Sequence, residues 1–230
     1  MRHLIWVVCV AGCAVGVASP VFASGGGSMG GMGSMSMPTP RSPEDIAKSA
    51  YNDGVRAVAK ARDYDDDVAK ADKEDKRIKL QEKAHKQYDK ARKLFVQATQ
   101  GQPDMAEAWN YVGFTSRHLG EYDLALSAYA RALELKPGYP EALEYRGEAY
   151  LELSRVDDAR QSYMTLFATS RTLADQLMGS MQKWVSAHRE GAPGVASDQV
   201  DVFAQWITER LAIAQQTASL GVDNSTVSWK

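Results

Sequence analysis

Displaced by 34 residues, the sequence falls on itself. Glu107 and Ala108 meet Glu141 and Ala142, Tyr111 meets Tyr145, and Gly113 meets Gly147. Leu119, Asp123, Ala125 and Tyr129 meet Leu153, Asp157, Ala159 and Tyr163, which makes eight identities in one period. About two would arise from ordinary residue usage. A period of this length means a supersecondary unit that buries its apolar face only by stacking on copies of itself.

The repeated residues have a packing logic. Small side chains at Gly113 and Ala125, and again at Gly147 and Ala159, let two short helices approach. Trp109, Leu119, Tyr122 and Tyr129 stand at helical spacing and fill the space between units. Gly120 suits a turn between helices and Pro137 stops the second one. Asp104 and Pro140 mark helix starts. Abundant Ala, Glu, Lys, Leu and Arg between Glu44 and Ala218 favour helix throughout.

The run Trp109…Val112-Gly113…Gly120-x-Tyr122…Ala125…Tyr129…Ala132…Pro137 resembles a tetratricopeptide repeat. The next unit, Pro140 to about Ser170, has Leu143 where Trp is usual, but keeps Gly147, Tyr150, Ala159 and Tyr163. It lacks a terminal proline, so its second helix is expected to run on further. Upstream, Tyr88, Ala91, Phe95, Ala98 and Pro103 match only the second half of a repeat. The better first half is Ala47, Tyr51, Gly54 and Val58, opened by Ser42-Pro43-Glu44-Asp45. Gly54 stands 59 residues before Gly113, so this unit carries about 25 extra residues and a charged tip near Asp63 to Arg77.

The expected fold is all-α, a right-handed superhelical solenoid of antiparallel helix pairs. Its units span about 44–103, 106–139 and 140–171, within a helical domain at 41–219. Capping helices follow over 172–219. One carries Leu173, Leu177, Met181, Trp184 and His188, the other Val200, Phe203, Ile207 and Leu211. Residues 220–230 read as a tail in which Trp229 is the one candidate for docking.

Residues 1–23 read as a signal peptide. Arg2 and His3 precede an apolar run, and Val21-Phe22-Ala23 has the small-x-small form of a cleavage site. The expected setting is periplasmic or secreted. The alternative is a lipoprotein, since Val10-Ala11-Gly12-Cys13 resembles a lipobox, and only lipidation at Cys13 would tie the chain to a membrane. Cys9 and Cys13 both lie in this segment, so cleavage after Ala23 leaves no disulfide, thiolate nucleophile or cysteine metal site. Residues 24–40, SGGGSMGGMGSMSMPTP, form a flexible Gly/Ser/Met-rich linker. Its Met29, Met32, Met35 and Met37 offer soft thioether ligands for Cu(I), against the plainer reading of a tether.

In tetratricopeptide proteins the first helix of each unit lines a concave groove. The resemblance therefore implies that Glu107, Asn110, Tyr111, Phe114 and Arg117 face a partner in one unit, and Glu141, Glu144, Tyr145 and Glu148 in the next. Glu141, Glu144, Glu148 and Glu152 lie in one helical stripe in any case. An acidic, aromatic groove suits a basic or amphipathic protein segment. A net charge of −2 and a pI near 6.1 give no footprint for nucleic acid.

No catalytic constellation stands out, and no cofactor motif. His85, His118 and His188 are unpaired at metal spacing. Asp63, Asp65, Asp67 and Glu74 mimic calcium-loop spacing, but Val68 holds the place that needs Gly, and the flanks favour continuous helix. The expected function is a non-catalytic interaction scaffold of the cell envelope. The alternatives are a Cu(I)-handling protein and a self-associating structural subunit.

Overall fold

A computed structural model of the chain describes residues 41–189 and 195–223, with side chains as far as 217. These residues form eight helices: α1 (Pro43–Lys70), α2 (Glu74–Gly101), α3 (Ala106–His118), α4 (Tyr122–Leu135), α5 (Pro140–Glu152), α6 (Val156–Thr169), α7 (Arg171–His188) and α8 (Ser197–Asp223). Among the described residues there is no β-strand, and no helix is long and apolar enough to cross a membrane. The fold is an all-α solenoid. Residues 1–40, expected to be a signal peptide and linker, and Trp229 lie outside the described residues.

The long first pair follows from its sequence. Ser42 caps α1, its hydroxyl accepting from the Asp45 amide at 3.1 Å, while Pro43 fits the first turn and Glu44 and Asp45 complement the helix dipole. Both α1 and α2 run for 28 residues, twice the 13 or 14 of α3 to α6. They are antiparallel. Tyr88 donates to Asp65 at 2.6 Å near the far end, and Phe95 meets Tyr51 at 5.7 Å nearer the base. Ala57, Val58, Ala61, Ala84, Ala91 and Phe95 fill the seam, small residues bringing the two backbones together. Asp63, Asp65 and Asp67 all stand on α1, so their calcium-like spacing is helical spacing.

The two 34-residue units close their turns identically. The Glu121 amide bonds Ser116 O at 2.9 Å and the Arg155 amide bonds Tyr150 O at 2.8 Å, the long-range bond of a Schellman ending. That ending needs a left-handed residue. Gly120 supplies it at φ 76°, and Ser154 occupies the equivalent place at φ 56°. Within the units, a Cβ on Gly113 would stand 2.5 Å from the Tyr129 ring, so only glycine admits that aromatic.

One expectation is corrected. α6 ends at Thr169 and is no longer than α4, although no proline stops it. Ser170 has extended backbone at φ −151°, and α7 begins at the next residue. Leu166, Leu177, Met181 and Phe203 are fully buried where α6, α7 and α8 meet, and Trp184 and Trp206 pack around them.

Candidate functional site

α3, α5 and α7 pack side by side, and α1 lies beside α3 through ring contacts, so the first helices of successive pairs form one layer. Its centre is a chain of aromatic rings. Tyr51 meets Tyr111 at 5.8 Å, Tyr111 stacks on Phe95 at 4.7 Å, and Phe114 meets Tyr145 at 5.0 Å. His118 keeps an exposed edge while its face stacks on Tyr88 at 4.3 Å and its ring tilts onto Phe114 at 4.4 Å. Burial against those rings, and then the charges of Arg117 and Arg62, hold His118 below the ordinary histidine range.

Charged side chains edge this aromatic floor. Arg62 reaches from α1 over Phe114, its guanidinium 4.9 Å from the ring centre, and engages Tyr145. Arg117 is largely buried and pairs with Glu148 at 2.7 Å. Ser180 of α7 donates to the same Glu148 at 3.0 Å. Beyond this pair an open cleft of about 340 Å³ continues between Glu152, Lys183, Trp184 and His188.

The nine residues expected to face a partner do not share one environment. Glu141 is exposed at the start of α5, and Glu107 is part-exposed and bonded to Lys136 at 3.2 Å. Tyr111 and Tyr145 keep partial exposure. Arg117 and Glu148 are committed to each other. Asn110 and Phe114 differ from expectation: they are 2 % and 3 % exposed and belong to the floor, not the surface. Close packing of neighbouring first helices covers the middle of each face, so a helical stripe predicts direction but not depth.

Glu144 is the unusual member. It is only 7 % exposed, yet it makes no hydrogen bond or ion pair among the described residues. Burial pushes its carboxyl up to about 7, and the charge of Glu148 adds to this. Arg117 opposes the shift, Glu141 reinforces it, and Arg62 opposes it. An ionised carboxylate here is short of a counter-charge.

Sequence reasoning missed Arg62, Tyr51, Ser180, Lys183 and Trp184. In the sequence Tyr51 stands out only as a repeat position. Arg62 lies where the first unit outgrows the repeat register. The sequence marks α7 only as a cap, but Gly147 sits against its Leu177 and α7 takes the place of a further first helix. Among the described residues no group of three His, Cys, Asp or Glu side chains could hold a metal ion, and Met29, Met32, Met35 and Met37 lie outside them.

Residues 82–140 and 117–168 match the family model "Tetratricopeptide repeat". No curated protein matches the chain. Among solved structures, the chain is similar to the first such domain of Spaghetti (RPAP3), solved bound to the HSP90 peptide SRMEEVD. The identity is 16%, over 58% of this chain and 94% of that one, with a TM-score of 0.40. It is also similar to MamA protein, at 20% identity over 72% of this chain and 91% of that one, with a TM-score of 0.39.

Proposed function

We propose that this chain, built of tetratricopeptide repeats over residues 82–168, is a non-catalytic scaffold that holds a basic or amphipathic protein segment against the layer of α1, α3, α5 and α7. The observation that carries this reading is Glu144. A buried carboxylate without an ion pair costs free energy when ionised, and a ligand ammonium or guanidinium removes that cost. Tyr145, the next residue, and Tyr111 on the neighbouring helix are partly exposed and offer ring surface for the ligand's side chains. Arg62, resting on Phe114 by a cation–π contact, is the side chain a ligand cation would displace. The apolar run and cleavage-like Val21-Phe22-Ala23 of residues 1–23 support an exported setting, in the periplasm or outside the cell.

Fluorescence anisotropy with a labelled lysine-rich amphipathic peptide at pH 8 tests the reading. The basic peptide binds, a glutamate-rich counterpart does not, and Glu144→Gln weakens binding roughly tenfold, the equivalent of ~1.4 kcal/mol. Equal binding of both peptides, or an unchanged affinity in Glu144→Gln, overturns it.

A further inference from the structure

α2 and α8 carry opposite net charge on surfaces the groove does not use. α2 holds eight basic and four acidic residues. Lys76, Lys79, Lys83, Lys86, Lys90 and Lys93 recur at intervals of three and four, so they form one row about 25 Å long. All six are exposed. The row faces away from the second repeat: Arg92, on the other flank of α2, reaches Glu121, whereas Lys83 lies 5.7 Å from the Tyr64 ring of α1. Lys76, Lys79, Lys86 and Lys90 have no carboxylate partner among the described residues.

At the other end, α8 is nearly as long and has Arg210 as its one basic residue, packed on Trp206. Its outer face presents Asp198, Asp201 and Glu209, with Val202 59 % exposed and Ile213 38 % exposed. Neither Asp198 nor Asp201 is in an ion pair among the described residues. Between α8 and α6 lies an open cleft of about 310 Å³ where Asp157 and Asp158 are paired with Arg160 and Arg155, which leaves Asp198 as its carboxylate without an ion pair among the described residues, over Val202 and Phe203. Asp198 and Asp201 beside the apolar Val202 suit the ammonium and the methylene stem of a lysine. Tyr64 of α1, partly exposed beside Lys83, gives the apolar residues of α8 a counterpart.

We propose that the lysine row of α2 in one copy docks on the α6–α8 face of a second copy, joining chains head to tail. The two surfaces differ, so the contact is heterologous and each added chain offers a fresh face. It is electrostatic at its centre and weakens with salt.

Light scattering and sedimentation of the full chain across concentration and salt test this. At low salt the mass rises with concentration, and added salt returns it to the monomer. Lys76→Glu with Lys79→Glu and Lys86→Glu abolishes assembly, and so does Asp198→Lys with Asp201→Lys and Glu209→Lys. Mixing the two variants restores assembly in strict alternation, since the native lysine row of one meets the native α8 face of the other and the two reversed faces meet in turn. A wild type that stays monomeric at low salt overturns the proposal, as does a lysine variant that still assembles. A monomeric wild type that binds anionic vesicles or nucleic acid through the row overturns it in favour of that surface.

Discussion

Ser154 shows at the scale of one residue how closely the two units are matched. The turn geometry demands a left-handed backbone, which the first unit meets with Gly120 and the second with a serine at φ 56°. A side chain there costs conformational energy that glycine does not incur. Ser154→Gly is expected to raise stability by about 1 kcal/mol, read from the midpoint of urea unfolding. An unchanged or lower midpoint would mean that the serine is held by contacts that offset its strain.

At the scale of elements, α3 to α6 were legible because their sequence repeats at 34 residues, even though Gly113 makes room for Tyr129 of its own unit and Gly147 for Leu177 of α7. The two long helices were legible from the 59-residue gap between Gly54 and Gly113, and from the Ser42 cap. What could not be read was depth and neighbourhood. Asn110, Phe114 and Glu144 have the right direction on their helices, but adjacent first helices bury them. Arg62 and the α7 residues join the groove through contacts between elements that share no repeat register. The long pair α1–α2 offers its own test. Beyond the stack its seam is lined mostly by alanine, so the bond from Tyr88 to Asp65 is one of few specific ties. Tyr88→Phe should cost about 1 kcal/mol and speed amide hydrogen exchange in α1 and α2 more than in α5 and α6. Uniform exchange across all helices would show that the long pair opens only with the whole molecule.

For the whole molecule, the groove ties stability to pH. Glu144 holds its proton up to about pH 7 when folded, against an ordinary value of 4.5. Between those values the folded state binds more protons than the unfolded one, so stability falls as pH rises through this window. The loss is complete above the folded value. Glu144→Gln should remove that dependence and stabilise the protein at pH 8 by on the order of 2 kcal/mol, measured by thermal or urea unfolding. The same change is expected to weaken binding of a basic peptide. Gaining stability while losing affinity is the mark of a residue kept for its ligand and not for the fold.

The location of that ligand is the central claim, and ring resonances of tyrosine in the full chain report on it directly. On titration with a lysine-rich amphipathic peptide at pH 8, the signals of Tyr111 and Tyr145 should shift together and saturate. Those of Tyr163, fully buried between α6 and α8, should stay in place. Shifts confined to residues on α2, α6 or α8, with Tyr111 and Tyr145 unmoved, would contradict the account.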